Sequence, residues 1–109
     1  MPQVMSMYSK LKTDLPNELI SALEKSEISV DKGYVYNDIT FSVPKELINL
    51  EPFVTINDIN SINPIQPKSK QIDAQKLVYR FRTRVSMDNL KEIHIITKSG
   101  SMKIPIPKS

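Results

Sequence analysis

The segment that most constrains the fold is a ten-residue stretch of the C-terminal half, in which basic and apolar side chains alternate. Residues 76 to 85 read KLVYRFRTRV. Successive side chains of a β-strand point to opposite faces, so this alternation predicts a half-buried strand. Its arginines would stand about 6 to 7 Å apart on the solvent face. The arginines are Arg80, Arg82 and Arg84, and the residues predicted to face the core are Tyr79, Phe81 and Val85.

Other segments carry the same period of two. Residues 34 to 43 predict a long strand with Tyr34 and Tyr36 on its polar face, and residues 53 to 56 predict a short one. Residues 92 to 97 and 102 to 106 flank the turn-forming sequence KSGS, which predicts a C-terminal hairpin. Because Pro105 lacks an N–H group, we expect the last strand at a sheet edge.

Helix signals are fewer and lie near the N-terminus. Asp14, Pro16 and Glu18 suit the first turn of a helix, which predicts a helix over residues 15 to 25. Apolar residues at helical spacing also indicate a helix over residues 4 to 15. A second proline-led start predicts a short helix from Pro44 to about Leu50.

These elements predict an α+β fold, with a mainly antiparallel sheet and one or two short helices packed on it. A chain of 109 residues can bury one hydrophobic core but not two, so we expect a single small domain over residues 1 to 109. Within it the sequence indicates an acidic helix and strand portion (1 to 58), a loop rich in Pro, Asn and Ser (59 to 71), and a basic β-portion (72 to 109).

The charge of the chain is divided by position. Residues 1 to 66 hold 5 Lys and 9 Asp or Glu, whereas residues 67 to 109 hold 10 Lys or Arg and 3 Asp or Glu. Arginine binds phosphate through a planar fork, and tyrosine rings can stack on exposed bases. We therefore predict a basic β-face for an anionic partner, with nucleic acid favoured. The predicted site residues are Arg80, Arg82, Arg84, Lys91, Lys98, Lys103, Tyr34 and Tyr36, with Lys108 as an extension.

Two alternatives use the same charges differently. Carboxylates of a neighbouring strand, for example Asp38, would neutralise the arginine row within the domain. Alternatively, the acidic and basic halves, or an edge strand, would join copies of the chain into a homo-oligomer. The second hypothesis describes a self-assembling structural or protein-interaction subunit, of viral or phage type.

The arginine-rich tract also resembles one family of enzymes. Residues 79 to 84 are similar to the arginine-rich strand near the C-terminus of small RelE-type ribonuclease toxins, a resemblance that implies ribonuclease activity. It covers roughly a tenth of the chain. Those folds place two helices before the sheet, whereas residues 34 to 56 of this chain are predicted mainly as strand.

The sequence contains no motif typical of a catalytic, metal or cofactor site. The chain has no Cys, and its single histidine, His94, has no nearby partner that would complete a catalytic set, so we expect a hydrogen-bonded structural histidine. The sequence predicts no metal site, no cofactor and no catalytic residues, and therefore a non-enzymatic protein. It contains no apolar run long enough to span a membrane and no signal peptide, so we expect an intracellular, cytoplasmic protein that is not secreted.

Overall fold

The computed structural model describes residues 17 to 107. The predicted helix over residues 4 to 15 and the side chain of Lys108 lie outside this range. In chain order the elements are helix α1 (Asn17–Glu24), β1 (Glu27–Lys32), β2 (Asn37–Pro44), a 3-10 helix (Lys45–Leu50), β3 (Phe53–Ile56), β4 (Ser69–Asp73), β5 (Lys76–Thr83), a second 3-10 helix (Met87–Asn89), β6 (Glu92–Thr97) and β7 (Gly100–Pro105).

The strands form two antiparallel sheets. The first has the order β1-β2-β5-β4, and the second has the order β3-β6-β7. The arginine-bearing strand β5 lies inside the first sheet, where β2 and β4 pair with its two edges. β2 pairs with the whole of β5, whereas β4 pairs with it only as far as Arg80, so the backbone ladders hold the side chains of β5 in a fixed row.

The inner faces of both sheets share one apolar core. In the first sheet Phe41 of β2 lies opposite Tyr79 of β5, and their ring centroids are 6.2 Å apart. In the second sheet Ile93 and Ile95 of β6 are buried, and Leu19 of α1 packs into the same cluster. Burial of each such side chain contributes about 1.5 to 3 kcal/mol, which makes this core the main stabilising term.

The predicted α+β class is confirmed, and so are several of its elements. Helix α1 lies inside the predicted range of residues 15 to 25, and the predicted short helix after Pro44 is the first 3-10 helix. β6 and β7 form the predicted C-terminal hairpin, in which β7 is an edge strand that ends at Pro105. Among residues 17 to 107, no helix is both long enough and apolar enough to cross a membrane.

The predicted strand over residues 34 to 43 is wrong at its start. β2 begins at Asn37, and the preceding residues form the turn of a hairpin with β1, a strand that the sequence analysis missed. Tyr34 and Val35 are therefore in the turn and are exposed. Gly33 and Tyr36 close this turn through a hydrogen bond from the Gly33 N–H to the Tyr36 carbonyl oxygen, 2.8 Å long.

The predicted loop over residues 59 to 71 is also shorter than expected. Its last residues belong to β4, which pairs with β5 from Ser69 to Asp73. Within the loop, Ile65 forms an antiparallel bridge with Ile56 that extends the edge of the second sheet.

Candidate anion-binding face

The three arginines of the β5 segment have different neighbours on the outer face of the first sheet. Arg80 lies opposite Thr40 of β2 and Ser69 of β4, so both of its cross-strand neighbours are uncharged. Arg82 lies opposite Asp38, and Arg84 follows the end of the strand. Within β5, the strand register therefore places a carboxylate opposite Arg82 but not opposite Arg80.

Arg82 and Asp38 form a two-pronged ion pair. The Arg82 Nε donates to Asp38 Oδ1 at 2.8 Å, and Arg82 Nη2 donates to Asp38 Oδ2 at 3.3 Å. The hydrogen bond from Arg82 lowers the pKa of Asp38 below its ordinary value, and nearby Lys68 acts in the same direction. Asp38 therefore neutralises Arg82, as the first alternative expects, and this is one of the three arginines of the row.

Tyr36 lies between two of the arginines. The guanidinium carbon of Arg82 is 5.1 Å from the centroid of the Tyr36 ring, and that of Arg84 is 5.3 Å from it. Arg84 Nη2 also donates to the Tyr36 hydroxyl oxygen at 3.2 Å. Cation–π contacts of this kind contribute about 0.5 to 1 kcal/mol at exposed sites, so the ring restricts both side chains.

Two arginines of the row keep an unneutralised charge. Neither Arg80 nor Arg84 forms an ion pair with any residue between 17 and 107. We call the surface formed by Tyr36, Arg80, Arg82 and Arg84 the arginine face. Lys68 adjoins it, since the Lys68 N–H donates to the Arg80 carbonyl oxygen at 2.6 Å. The sequence analysis missed Lys68, because only the pairing of the chain beside β5 reveals its position.

The other predicted site residues are not part of this face. Tyr34 is fully exposed at the tip of the β1–β2 hairpin. Lys98 lies in the turn between β6 and β7, with its Nζ 4.0 Å from Glu51, and Lys103 of β7 pairs with Asp58. Lys91, the remaining predicted residue, lines a cleft.

A cleft of about 710 Å³ separates the loop after β3 from the connection between β5 and β6. Lys91 lies on one of its walls, and Val85, which directly follows Arg84, lies on another. The sequence analysis had treated residues 59 to 71 only as a loop, and no spacing in the sequence indicates that this loop faces residues 85 to 92. The residues that line the cleft are Asn57, Asp58, Ser61, Ile62, Asn63, Val85, Asn89, Lys91 and Glu92.

His94 fixes the base of the same loop. It is 7% exposed, and its Nδ1 accepts a hydrogen bond from the Ile59 N–H at 3.1 Å. Burial lowers the pKa of His94, and the Asp58 carboxylate, whose Oδ1 is 3.9 Å from Nδ1, opposes this shift. The accepting Nδ1 places the proton of the neutral ring on Nε2. This is the structural, hydrogen-bonded histidine that the sequence analysis expected.

The Lys and Arg ion pairs with carboxylates follow the division of charge along the chain. Within the described residues there are four such pairs, and each joins a carboxylate from residues 17 to 66 to a cation from residues 67 to 107. Part of the basic half is therefore neutralised inside the domain. The four pairs are Glu27 with Lys76, Asp38 with Arg82, Glu51 with Lys98, and Asp58 with Lys103.

These features define a class of protein: a small α+β domain of two antiparallel sheets that presents an arginine and tyrosine surface on the first sheet. No protein-family model, curated protein or solved structure with which the chain was compared matches it. Between residues 17 and 107, no group of three or more His, Cys, Asp or Glu side chains is arranged to hold a metal ion.

Proposed function

We propose that the protein is a non-enzymatic binding module whose arginine face binds the phosphate backbone of nucleic acid. The observation that carries this proposal is that two arginines on the outer face of the first sheet have no carboxylate partner among the described residues. Four cations of the basic half have a carboxylate partner within the domain, whereas Arg80 and Arg84 have none among residues 17 to 107. Two unneutralised guanidinium groups, one on β5 and one directly after its end, suit a ligand that carries several anions.

The geometry of the face supports a polyanion over a single small anion. Side chains two residues apart on a strand are separated by about 6 to 7 Å, which is similar to the spacing of phosphates along one nucleic-acid strand. Tyr36 holds Arg82 and Arg84 in place, so binding sacrifices less of their rotational freedom. Arg80 lies on β5 between Thr40 of β2 and Ser69 of β4, and it extends the row that Arg82 and Arg84 begin.

Fluorescence anisotropy with labelled 20-nucleotide DNA and RNA, in single-stranded and duplex form, tests the proposal. We expect binding at low salt whose affinity falls as salt rises. The double variant Arg80→Ala/Arg84→Ala should weaken binding at least tenfold and reduce the slope of log Kd against log salt by up to about 2, if each arginine contacts one phosphate.

The matched control is Lys45→Ala/Lys98→Ala, which removes the same charge from positions outside the face. Lys45 belongs to the first 3-10 helix, and Lys98 lies in the turn of the second sheet. We expect this control to keep most of the affinity and slope. Equal losses for both double variants would indicate a nonspecific effect of net charge, and an absence of binding by the wild type to all four probes would refute the proposed function.

A further inference from the structure

The cleft beside the arginine face has walls that are fixed by several hydrogen bonds. Asn57, which has a left-handed backbone with φ of 70°, joins the two walls. Its side-chain Nδ2 donates to the Asn89 carbonyl oxygen at 2.9 Å, its Oδ1 accepts from the Lys91 N–H at 2.9 Å, and its own N–H donates to the Glu92 carbonyl oxygen at 2.7 Å. The cleft is therefore preformed, which is typical of ligand sites.

The loop that forms the opposite wall is also ordered by local bonds. Asp58 Oδ1 accepts from the Asn60 N–H at 2.8 Å, and the Asp58 carbonyl oxygen accepts from the Ser61 N–H at 2.8 Å. Lys103 pairs with the other carboxylate oxygen of Asp58, and the bond from Ile59 to His94 lies beside it. These bonds present residues 61 to 63 at the rim of the cleft.

The lining combines apolar surface with polar groups that no other group engages. Ile62 is 95% exposed, and Val85 contributes a second apolar surface. The side chains of Ser61 and Asn63 make no hydrogen bond to any residue from 17 to 107. Lys91 supplies a cation without an ion pair in that range. A flat heterocycle with donors and acceptors on its edge and a phosphate attached fits such a set of groups.

We propose that the cleft receives one unpaired base of a nucleic-acid strand whose phosphates lie on the arginine face. The inference rests on the proposed function and adds its substrate class, namely single strands. Arg84 and Val85 are consecutive residues and Val85 lines the cleft, so the arginine face ends next to the cleft, where Lys91 offers a further cation to a phosphate.

Charge within the cleft decides which part of the nucleotide enters. Glu92 lines it and has no ion pair among the described residues, so its carboxylate repels a phosphate from the interior, whereas the charge of Asp58 is balanced by Lys103. The base therefore enters, and the phosphates stay at the rim with Arg84 and Lys91. In a duplex, base pairing holds the bases in the stack, and extrusion of one costs a few kcal/mol, so single strands bind preferentially.

The test is an amide-proton and nitrogen NMR titration of the full chain with the single-stranded octamer dT8 and, separately, with a DNA hairpin whose eight-base-pair stem is closed by a non-nucleotide ethylene glycol linker, so that it contains no unpaired base. We expect dT8 to shift the amide signals of residues 61 to 63 and the side-chain amide of Asn63, together with the Nε–Hε signals of Arg80 and Arg84. The hairpin should shift only the arginine signals.

Two alanine variants provide a matched comparison at exposed isoleucines. Ile62→Ala removes apolar surface at the cleft, and Ile72→Ala removes it from strand β4; both side chains are at least half exposed, so folding is preserved. We expect Ile62→Ala to weaken dT8 binding about threefold and to leave hairpin binding unchanged, whereas Ile72→Ala changes neither.

The outcomes separate the two proposals. Shifts that are confined to the arginines, with equal affinities for dT8 and the hairpin, would overturn the cleft assignment and leave the proposed function standing. An absence of shifts with both probes would overturn the proposed function and the cleft assignment with it. Shifts that are confined to the cleft would overturn the placement of the phosphates on the arginine face, and thus both proposals.

Discussion

Asp38 controls how much positive charge the arginine face presents. Its two carboxylate oxygens accept hydrogen bonds from Arg82, which lies directly opposite across β2 and β5. In Asp38→Asn this neutralisation is lost and Arg82 becomes available to a phosphate. We expect nucleic-acid affinity at low salt to rise about two- to fivefold, in line with the modest free energy of exposed ion pairs.

Asp31 offers a control for this variant on the same row of the sheet. It lies opposite Asp38 on β1 and forms no ion pair among the described residues, so Asp31→Asn changes the net charge equally without releasing an arginine. Anisotropy titrations of both variants should show the larger gain for Asp38→Asn. Equal gains would indicate that Arg82 does not contact the ligand.

Tyr79 carries a buried hydroxyl without a hydrogen-bond partner in the structure. The residue is 1% exposed, its Oη has no partner, and burial raises its pKa to about 12. A buried unsatisfied polar group costs about 1 to 3 kcal/mol. We therefore expect Tyr79→Phe to increase the free energy of unfolding by about 1 kcal/mol in urea titrations.

The fully exposed Tyr34 is the matched control for Tyr79, because its hydroxyl is in water in both the folded and unfolded states. Tyr34→Phe should leave the free energy of unfolding within about 0.5 kcal/mol of the wild type. A loss of stability in Tyr79→Phe would show that the buried hydroxyl is hydrogen-bonded in solution.

His94 makes stability depend on pH. Burial lowers its pKa in the folded protein, so in the interval below the ordinary value of about 6.5 the unfolded chain binds the proton more readily. Stability contributed by neutral His94 is therefore present above that value and is lost as pH falls from it towards the lower folded pKa. Protonation also removes the Nδ1 lone pair that accepts from the Ile59 N–H.

Urea titrations between pH 7.5 and 5.5 measure this effect, and His94→Asn is the reference. An asparagine can place an oxygen near the position of Nδ1 but does not titrate, so its stability should be flat over this interval. The carboxylates of Glu27, Asp38 and Asp58 also have lowered pKa values, but they respond below about pH 4.5, outside the interval. A wild-type curve parallel to that of His94→Asn would contradict the assignment.

At the scale of elements, the β1–β2 hairpin positions the ring that organises the arginine face. Its turn is tight at Gly33, where a Cβ atom would lie 2.5 Å from the Tyr36 carbonyl oxygen. Gly33→Ala must therefore displace Tyr36, and with it the ring between Arg82 and Arg84. We expect a loss of about 1 to 3 kcal/mol in unfolding free energy, together with weaker nucleic-acid binding.

Val35→Ala is the control for the same turn, since this side chain is 59% exposed and its removal causes no close approach. It should change unfolding free energy by less than about 0.5 kcal/mol. If Gly33→Ala loses stability but keeps full affinity for single- and double-stranded DNA, the position of Tyr36 is not important for binding.

The elements that the sequence predicted are those whose signal is local. Alternation over residues 76 to 85 identified β5, and turn residues identified the β6–β7 hairpin. β1 escaped detection because it is six residues long, carries charges at both ends, and shares Asp31 and Lys32 with a turn-like sequence. β4 consists mostly of exposed polar residues, and only its pairing with β5 makes it a strand.

The part of the candidate site that the sequence predicted also has a local signal. The part that it did not predict depends on contacts between distant segments of the chain. The arginine row follows from the period of a single strand, so Arg80, Arg82 and Arg84 share a face as expected. Whether a lysine joins them depends on the register between distant strands, which a sequence without an alignment does not contain. Lys68 adjoins the face and Lys103 does not, although both lie in the basic half.

At the scale of the whole molecule, the division of charge coincides with the division of the core. β2 belongs to the acidic half and β5 to the basic half, and these two strands form the longest ladder of the first sheet, eight residue pairs from Asn37–Thr83 to Pro44–Lys76. β3 and β6 are likewise paired across the boundary. Folding therefore brings together two chain segments of opposite charge, and the four ion pairs described above are formed at the same time.

This arrangement predicts that neither half folds alone and that the two halves complement each other. A fragment of residues 1 to 66 carries a net charge of −4, and one of residues 67 to 109 carries +7. The break falls after the bridge between Ile56 and Ile65 and before β4, so it interrupts no strand. Each fragment alone should show a disordered circular-dichroism spectrum, because each supplies only part of both sheets.

Mixing the fragments in equal amounts at low salt should restore the β-sheet spectrum of the intact chain. Raising sodium chloride from 0.05 to 0.5 M should weaken their association on the order of tenfold, since salt screens the attraction between the charges while the apolar core still forms. A fragment of residues 67 to 109 that unfolds cooperatively by itself would contradict a single shared core. Association that is insensitive to salt would show that the charge division contributes nothing to the pairing of the two halves.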